Sequence, residues 1–136
     1  MGVRSFKTLI VLAGILAFGF LWRLFNTEPT KELSSGTINE AFVNAVLAHP
    51  FFNAAFPKTI GPELFNLDFI AAACKKAGVS ELAHEDMVAS LSYLTARVIG
   101  DAIYKVVGDS NIDLVIYASG GGIHNSYVMQ QLQNIC

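Results

Sequence analysis

Three consecutive glycines, Gly120, Gly121 and Gly122, restrict what this chain can fold into more than any other stretch of it. They follow a short apolar, β-branched run at residues 112–118 with no clear alternation, the pattern expected of a strand buried on both faces of a sheet. Beyond them Asn125 or Ser126 can cap a helix running through residues 127–135. Strand, glycine turn, helix is an α/β order. Glycines in such a turn reach positive φ and let a ligand approach without meeting a Cβ. Three glycines are neither GxGxxG nor a phosphate-binding P-loop, so alone they fit a nucleotide contact and a ligand-free tight turn equally well.

Upstream of this turn the sequence reads as helices. Thr37, Ile38, Asn39 and Glu40 have the form of a capping box, with Thr37 as the cap. Ile38, Phe42, Val43, Val46 and Leu47 then recur on one helical face until Pro50 interrupts. Asn66 can cap a second helix that ends at Gly78, a residue suited to the left-handed position after a helix. A third, long helix carries an apolar stripe from Met87 to Val106, with Glu85 and Asp86 in its first turn, where the dipole favours negative charge, and Gly108 at its end.

Between the first two helices lies a segment punctuated by Pro57, Gly61 and Pro62, and it carries Phe51, Phe52, Phe56 and Phe65. So many aromatics predict a packed loop rather than a solvated one. Lys58 and Thr59 beside Gly61 are candidates for contact with an anionic or polar substrate group.

The 136 residues suffice for one domain. Nine Lys and Arg against eleven Asp and Glu give a net charge of -2, with no basic cluster interleaved with aromatics, which argues against a nucleic-acid partner. Cys74 and Cys136 have neither CxxC spacing nor a neighbouring histidine pair, so neither a disulfide framework nor a zinc site is indicated. Much of the apolar content lies near the N-terminus, where residues 8–22 are uncharged between Lys7 and Arg23. As a helix this run covers about 22 Å, against a hydrocarbon core of about 30 Å. With snorkelling by the flanking Lys7 and Arg23, and with no small-x-small cleavage site following, residues 8–25 read as an uncleaved membrane anchor, the alternative for so short a run being a buried core helix or an interfacial segment. Residues 27–36 read as a linker, so residues 1–35 form a leader and residues 36–136 the globular part.

Three stretches, GTINEAFVNAVLAHPFF, FPKTIGPELFN and YASGGGIHNSYVM, occur in an order and spacing that resembles the C-terminal part of anhydro-N-acetylmuramic acid kinases. The middle stretch is similar to that family's Pro-Lys-Ser/Thr-Thr-Gly-x-Glu-Leu-Phe-Asn run, with Pro57, Lys58, Thr59, Gly61, Glu63, Leu64, Phe65 and Asn66 matching and Ile60 replacing a hydroxyl residue. The third resembles its Gly-Gly-Gly-x-x-Asn turn, matched by Gly120, Gly121, Gly122 and Asn125.

The resemblance implies part of an actin/hexokinase-like, ribonuclease H-like α/β kinase lobe, with Gly120, Gly121, Gly122 and Asn125 against the adenosine of ATP. It implies ATP and Mg²⁺ as cofactors, an anhydro-sugar as substrate and a cytoplasmic location, the family phosphorylating 1,6-anhydro-N-acetylmuramic acid in cell-wall recycling. The family's Gly-Thr-Ser-x-Asp-Gly turn and Asp-Thr-Gly segment do not occur in this chain. No catalytic residue or metal ligand is therefore assigned, and the chain alone is expected to be inactive, since phosphoryl transfer needs a phosphate cradle, a magnesium site and a group orienting the nucleophile. The competing expectation is a membrane-tethered, non-catalytic binding or interaction module.

Overall fold

The computed structural model describes residues 36–55, 58, 63–108 and 115–136. Helix α1 spans Glu40–Leu47, α2 Pro50–Asn53, α3 Leu67–Lys76 and α4 His84–Val107; a 3-10 turn at Gly121–His124 then leads into α5, Ser126–Ile135. No strand occurs among the described residues.

The start of α1 differs from the capping-box expectation. Asn39, not Thr37, is the cap, its Oδ1 accepting the Phe42 N–H at 2.9 Å. The Thr37 N–H, which a Glu40 carboxylate would have to reach in a capping box, donates instead to Asp86 Oδ1 at 2.7 Å. Asp86 thus ties the entering chain to the first turn of α4 as well as facing that helix's dipole. Gly36 is pressed close to the Glu85 carbonyl, where a Cβ would collide with backbone.

Pro50 ends one helix and opens another. It stands in the first turn of α2, where a missing N–H is harmless, and His49 Nδ1 accepts the Phe51 N–H at 3.2 Å as the cap. The segment expected to be loop after Pro50 therefore begins as a short helix. Its aromatics are packed as expected: Phe51, Phe52 and Phe65 meet edge-on or tilted at 5.4 to 5.9 Å, and Phe65 meets Phe69 at 5.1 Å. Phe56 lies outside the described residues.

Asn66 caps α3 as its position suggests, accepting the Phe69 N–H at 3.0 Å. Gly78 closes it at φ 72°, with its own N–H on Lys75 O and the Val79 N–H on Cys74 O, the paired bonds of a Schellman motif. Helix α4 ends at Gly108, also as expected.

Two hydrophobic clusters result. Phe42, Val43, Val46, Phe52, Phe65, Ile70, Ala73, Cys74, Leu91 and Leu94 form the first, joining α1, α2 and α3 to the N-terminal half of α4. Ala96, Ile99 and Ile103 of α4 form the second with Val128 and Leu132 of α5. The long helix is therefore a shared spine. A fully buried Phe or Leu contributes about 1.5–3 kcal/mol through area removed from water, so Phe42 and Leu94, at the centre of the first cluster, rank among its main contributors.

The strand expected at residues 112–118 is not formed where it can be seen. Residues 115–118 are irregular, and Val115, Ile116 and Tyr117 are 69%, 42% and 84% exposed. A strand exists only through hydrogen bonds to neighbouring strands, and the described residues offer none. The anchor expectation falls on residues 8–25, outside the described residues. Among the described ones, no helix is long and apolar enough to cross a membrane.

Candidate functional site

The glycine turn is set by four local features. Gly120 lies at φ 104°, ψ 177°, a conformation that favours glycine, whereas neither Gly121 nor Gly122 has positive φ. The Ile123 N–H donates to Gly120 O at 3.3 Å and the Asn125 N–H to Gly122 O at 3.1 Å, closing the 3-10 turn. Asn125 is buried and caps α5 through Oδ1, which accepts the Val128 N–H at 3.0 Å. A Cβ added at Gly120 or Gly121 would meet no atom within 4 Å, so the turn presents open backbone to solvent.

The sequence pattern gives positive φ and ligand approach to the three glycines together. The structure separates them: Gly120 carries the conformational demand, and Gly121 offers open approach at an ordinary φ. Helix α5 holds the turn in place. Val128 and Leu132 seat it on α4, and Gly100 lets Ile135 approach so closely that a Cβ at position 100 would collide with the Ile135 side chain. The first amides of a helix have no partner within it, and they carry the positive end of its dipole. That end of α5, at Ser126, is joined to the exposed glycines by Ile123, His124 and the cap Asn125.

Lys58 is placed elsewhere. Its Nζ donates to Phe51 O at 2.9 Å and Phe52 O at 2.8 Å, and it lies 5.0 Å from the Phe51 ring centroid. It therefore serves the C-terminal carbonyls of α2, a role that cations perform at helix ends. Lys105, from the last turn of α4, also reaches Phe52 O, at 3.4 Å. Burial first, and Lys105 second, hold the Lys58 ammonium below the usual lysine range. Lys58 thus attaches to the first cluster, through Phe51 and Phe52, and the glycine turn to the second. Thr59 lies outside the described residues.

Gly100 could have been noticed as an isolated glycine inside a helical pattern. Lys105 had no such signal, because its partner is 53 positions away. Cys74 is buried, which pushes its thiol up; desolvation also raises the Cys136 thiol, although that residue is exposed. Among the described residues no group of three His, Cys, Asp or Glu gathers to hold a metal.

Comparison with known proteins adds what the geometry alone does not. The model of a family described as anhydro-N-acetylmuramic acid kinase matches residues 24–136, a span that begins twelve residues before Gly36. A protein of that name from Pseudoalteromonas atlantica is 42% identical over 112 residues, covering 80% of this chain and 27% of the relative. One from Pseudoalteromonas translucida is 38% identical over 121 residues, covering 86% and 30%. A third, from Streptomyces avermitilis, is 37% identical over 97 residues, covering 71% and 23%. The chain thus spans between 23% and 30% of the length of these curated relatives.

Proposed function

Because the chain belongs to the anhydro-N-acetylmuramic acid kinase family, we propose that it forms the adenosine-facing part of a kinase lobe for ATP-dependent phosphorylation of 1,6-anhydro-N-acetylmuramic acid, and that alone it does not catalyse that reaction. The family match over residues 24–136 carries the reading. Residues 36–136 are then a partial actin/hexokinase-like α/β domain, following a leader at residues 1–35, and the working location is the cytoplasm, where ATP is.

Within this reading Gly120, Gly121, Gly122 and Asn125 each have a task. Gly120 turns the chain, Gly121 and Gly122 expose backbone on which a purine and ribose can pack, and Asn125 fixes the direction of α5. The open ground at Gly121 fits such a ligand, because no side chain occupies it. ATP supplies the transferable phosphoryl group. The described residues do not form a magnesium site, and Lys58, already engaged with two carbonyls, is a weak candidate for a substrate anion. Phosphoryl transfer is almost wholly positioning and charge stabilisation. A chain without the family's phosphate and nucleophile segments therefore retains the nucleoside contact and lacks the chemistry.

The test is a sugar-kinase assay on the purified chain with ATP, magnesium and the anhydro-sugar. The expected result is no sugar-dependent ADP above a tag-only control, and ADP release above that control overturns the proposed inactivity.

A further inference from the structure

The 3-10 turn sorts the residues around the glycines by face. A 3-10 helix repeats every three residues, so positions i and i+3 eclipse. Over Gly121–His124 this places His124 on the same face as Gly121, about 6 Å further along the axis. The next face leads from Gly122 to Asn125, which is buried and whose Oδ1 is taken up in capping α5. The third carries Ile123, 40% exposed, whose N–H meets the Gly120 carbonyl. His124 is therefore the polar side chain that borders the open backbone of Gly121, where an added Cβ would meet no atom within 4 Å. It is exposed, and its imidazole makes no hydrogen bond, ion pair or ring contact among the described residues. Neither the turn nor the cap of α5 depends on that ring, because both are closed by backbone and by Asn125.

Resting on the kinase-lobe reading, we propose that His124 is a specificity-determining contact of the nucleotide site, hydrogen-bonding the ribose hydroxyls of a nucleoside that lies on Gly121. A neutral imidazole offers one donor and one acceptor, and each ribose hydroxyl can both accept and donate in return. Ile123, on the neighbouring face, offers apolar surface suited to the flat side of a base. The turn thus distinguishes the two parts of a nucleoside, with the base toward Ile123 and the sugar toward His124. Since the imidazole is solvated while the site is empty, the preference for a hydroxylated sugar is that of one net hydrogen bond, about two- to tenfold in affinity.

The experiment titrates the full chain with ATP and with 2′,3′-dideoxy-ATP, followed by NMR, for the wild type, His124→Phe and His124→Ala, with the thermal midpoint of each measured alongside. The wild type is expected to bind ATP about two- to tenfold more tightly than the dideoxy nucleotide. His124→Phe keeps a ring but has no hydrogen-bonding atom, and should bind the two nucleotides alike, as should His124→Ala. The midpoints should not move, since the imidazole is exposed and unpartnered among the described residues. A wild type that binds both nucleotides equally overturns the proposal, and so does a His124→Phe chain that retains the preference for ATP, which would place the sugar against another group. Either result leaves the kinase-lobe reading standing, because ATP is still bound. A folded wild type that binds neither nucleotide contradicts both.

Discussion

The Asn39 N–H donates to the Ser90 hydroxyl at 2.9 Å, joining residues 51 positions apart. Two residues further along α4, the Ser92 hydroxyl is equally buried and has no hydrogen-bond partner. The two serines should therefore respond oppositely to loss of the hydroxyl. Ser90→Ala leaves a partly buried amide without its acceptor, at a cost of about 1–3 kcal/mol. Ser92→Ala removes an unsatisfied polar atom and should fall between neutral and about 1 kcal/mol stabilising. Urea midpoints of the two variants decide this, and Ser92→Ala proving the more damaging would contradict it.

Gly100 and Ile135 should be coupled. Gly100→Val drives a side chain into Ile135, and overpacking of this kind costs about 1–3 kcal/mol. Ile135→Ala in that background opens the space again. A double-mutant cycle should return a coupling of about 0.5–3 kcal/mol in the direction of rescue; simple additivity would mean that the α4–α5 contact is not set at this point.

Lys58 gives a prediction in pH. Its folded-state affinity for a proton is lowered, chiefly by burial and then by Lys105. Between the lowered value and the usual lysine value the unfolded chain binds more protons, so stability carried by Lys58 rises with pH across that alkaline window. Lys58→Met lacks this contribution. The thermal midpoint of the wild type minus that of Lys58→Met should accordingly increase from neutral pH toward the usual lysine value, and a difference that shrinks would be inconsistent with a desolvated ammonium.

The helix ends were legible in the sequence wherever the decisive partner lies within a few residues. Asn66, Gly78, Gly108 and Asn125 all act on amides or carbonyls of the adjoining turn, so their residue types suffice to mark them. The start of α1 departs from the capping-box pattern because Asp86, 49 positions away, takes the Thr37 amide that the capping box requires. Pro50 was read as an interruption, although His49 makes it the first turn of a new helix. The glycine turn and its cap were visible, but not which glycine carries the positive φ, since that depends on where the 3-10 turn begins. The run at residues 112–118 looked like a strand because composition reports what a segment needs around it, and pairing depends on partners that the run itself does not contain.

Gly120 and Gly121 should separate fold from approach. Gly120→Ala forces a side chain into φ 104°, a conformation costing a non-glycine residue about 1–3 kcal/mol. Gly121→Ala meets open space at an ordinary φ, and should stay within about 0.5 kcal/mol. Thermal midpoints of the two variants test the assignment, and equal losses would refute it.

That separation makes Gly121→Val a clean probe of the nucleotide contact, since the substitution adds bulk where a base or ribose would pack without straining the turn. The most direct test is an ATP titration followed by NMR on the folded wild-type chain and on Gly121→Val, with the thermal midpoint of each measured alongside. The account predicts weak, saturable shifts at Gly120, Gly121, Gly122 and Asn125 in the wild type, and their loss in the variant at an unchanged midpoint. A folded wild-type chain showing no shift at these residues with millimolar ATP, or a Gly121→Val chain binding as the wild type does, would contradict it.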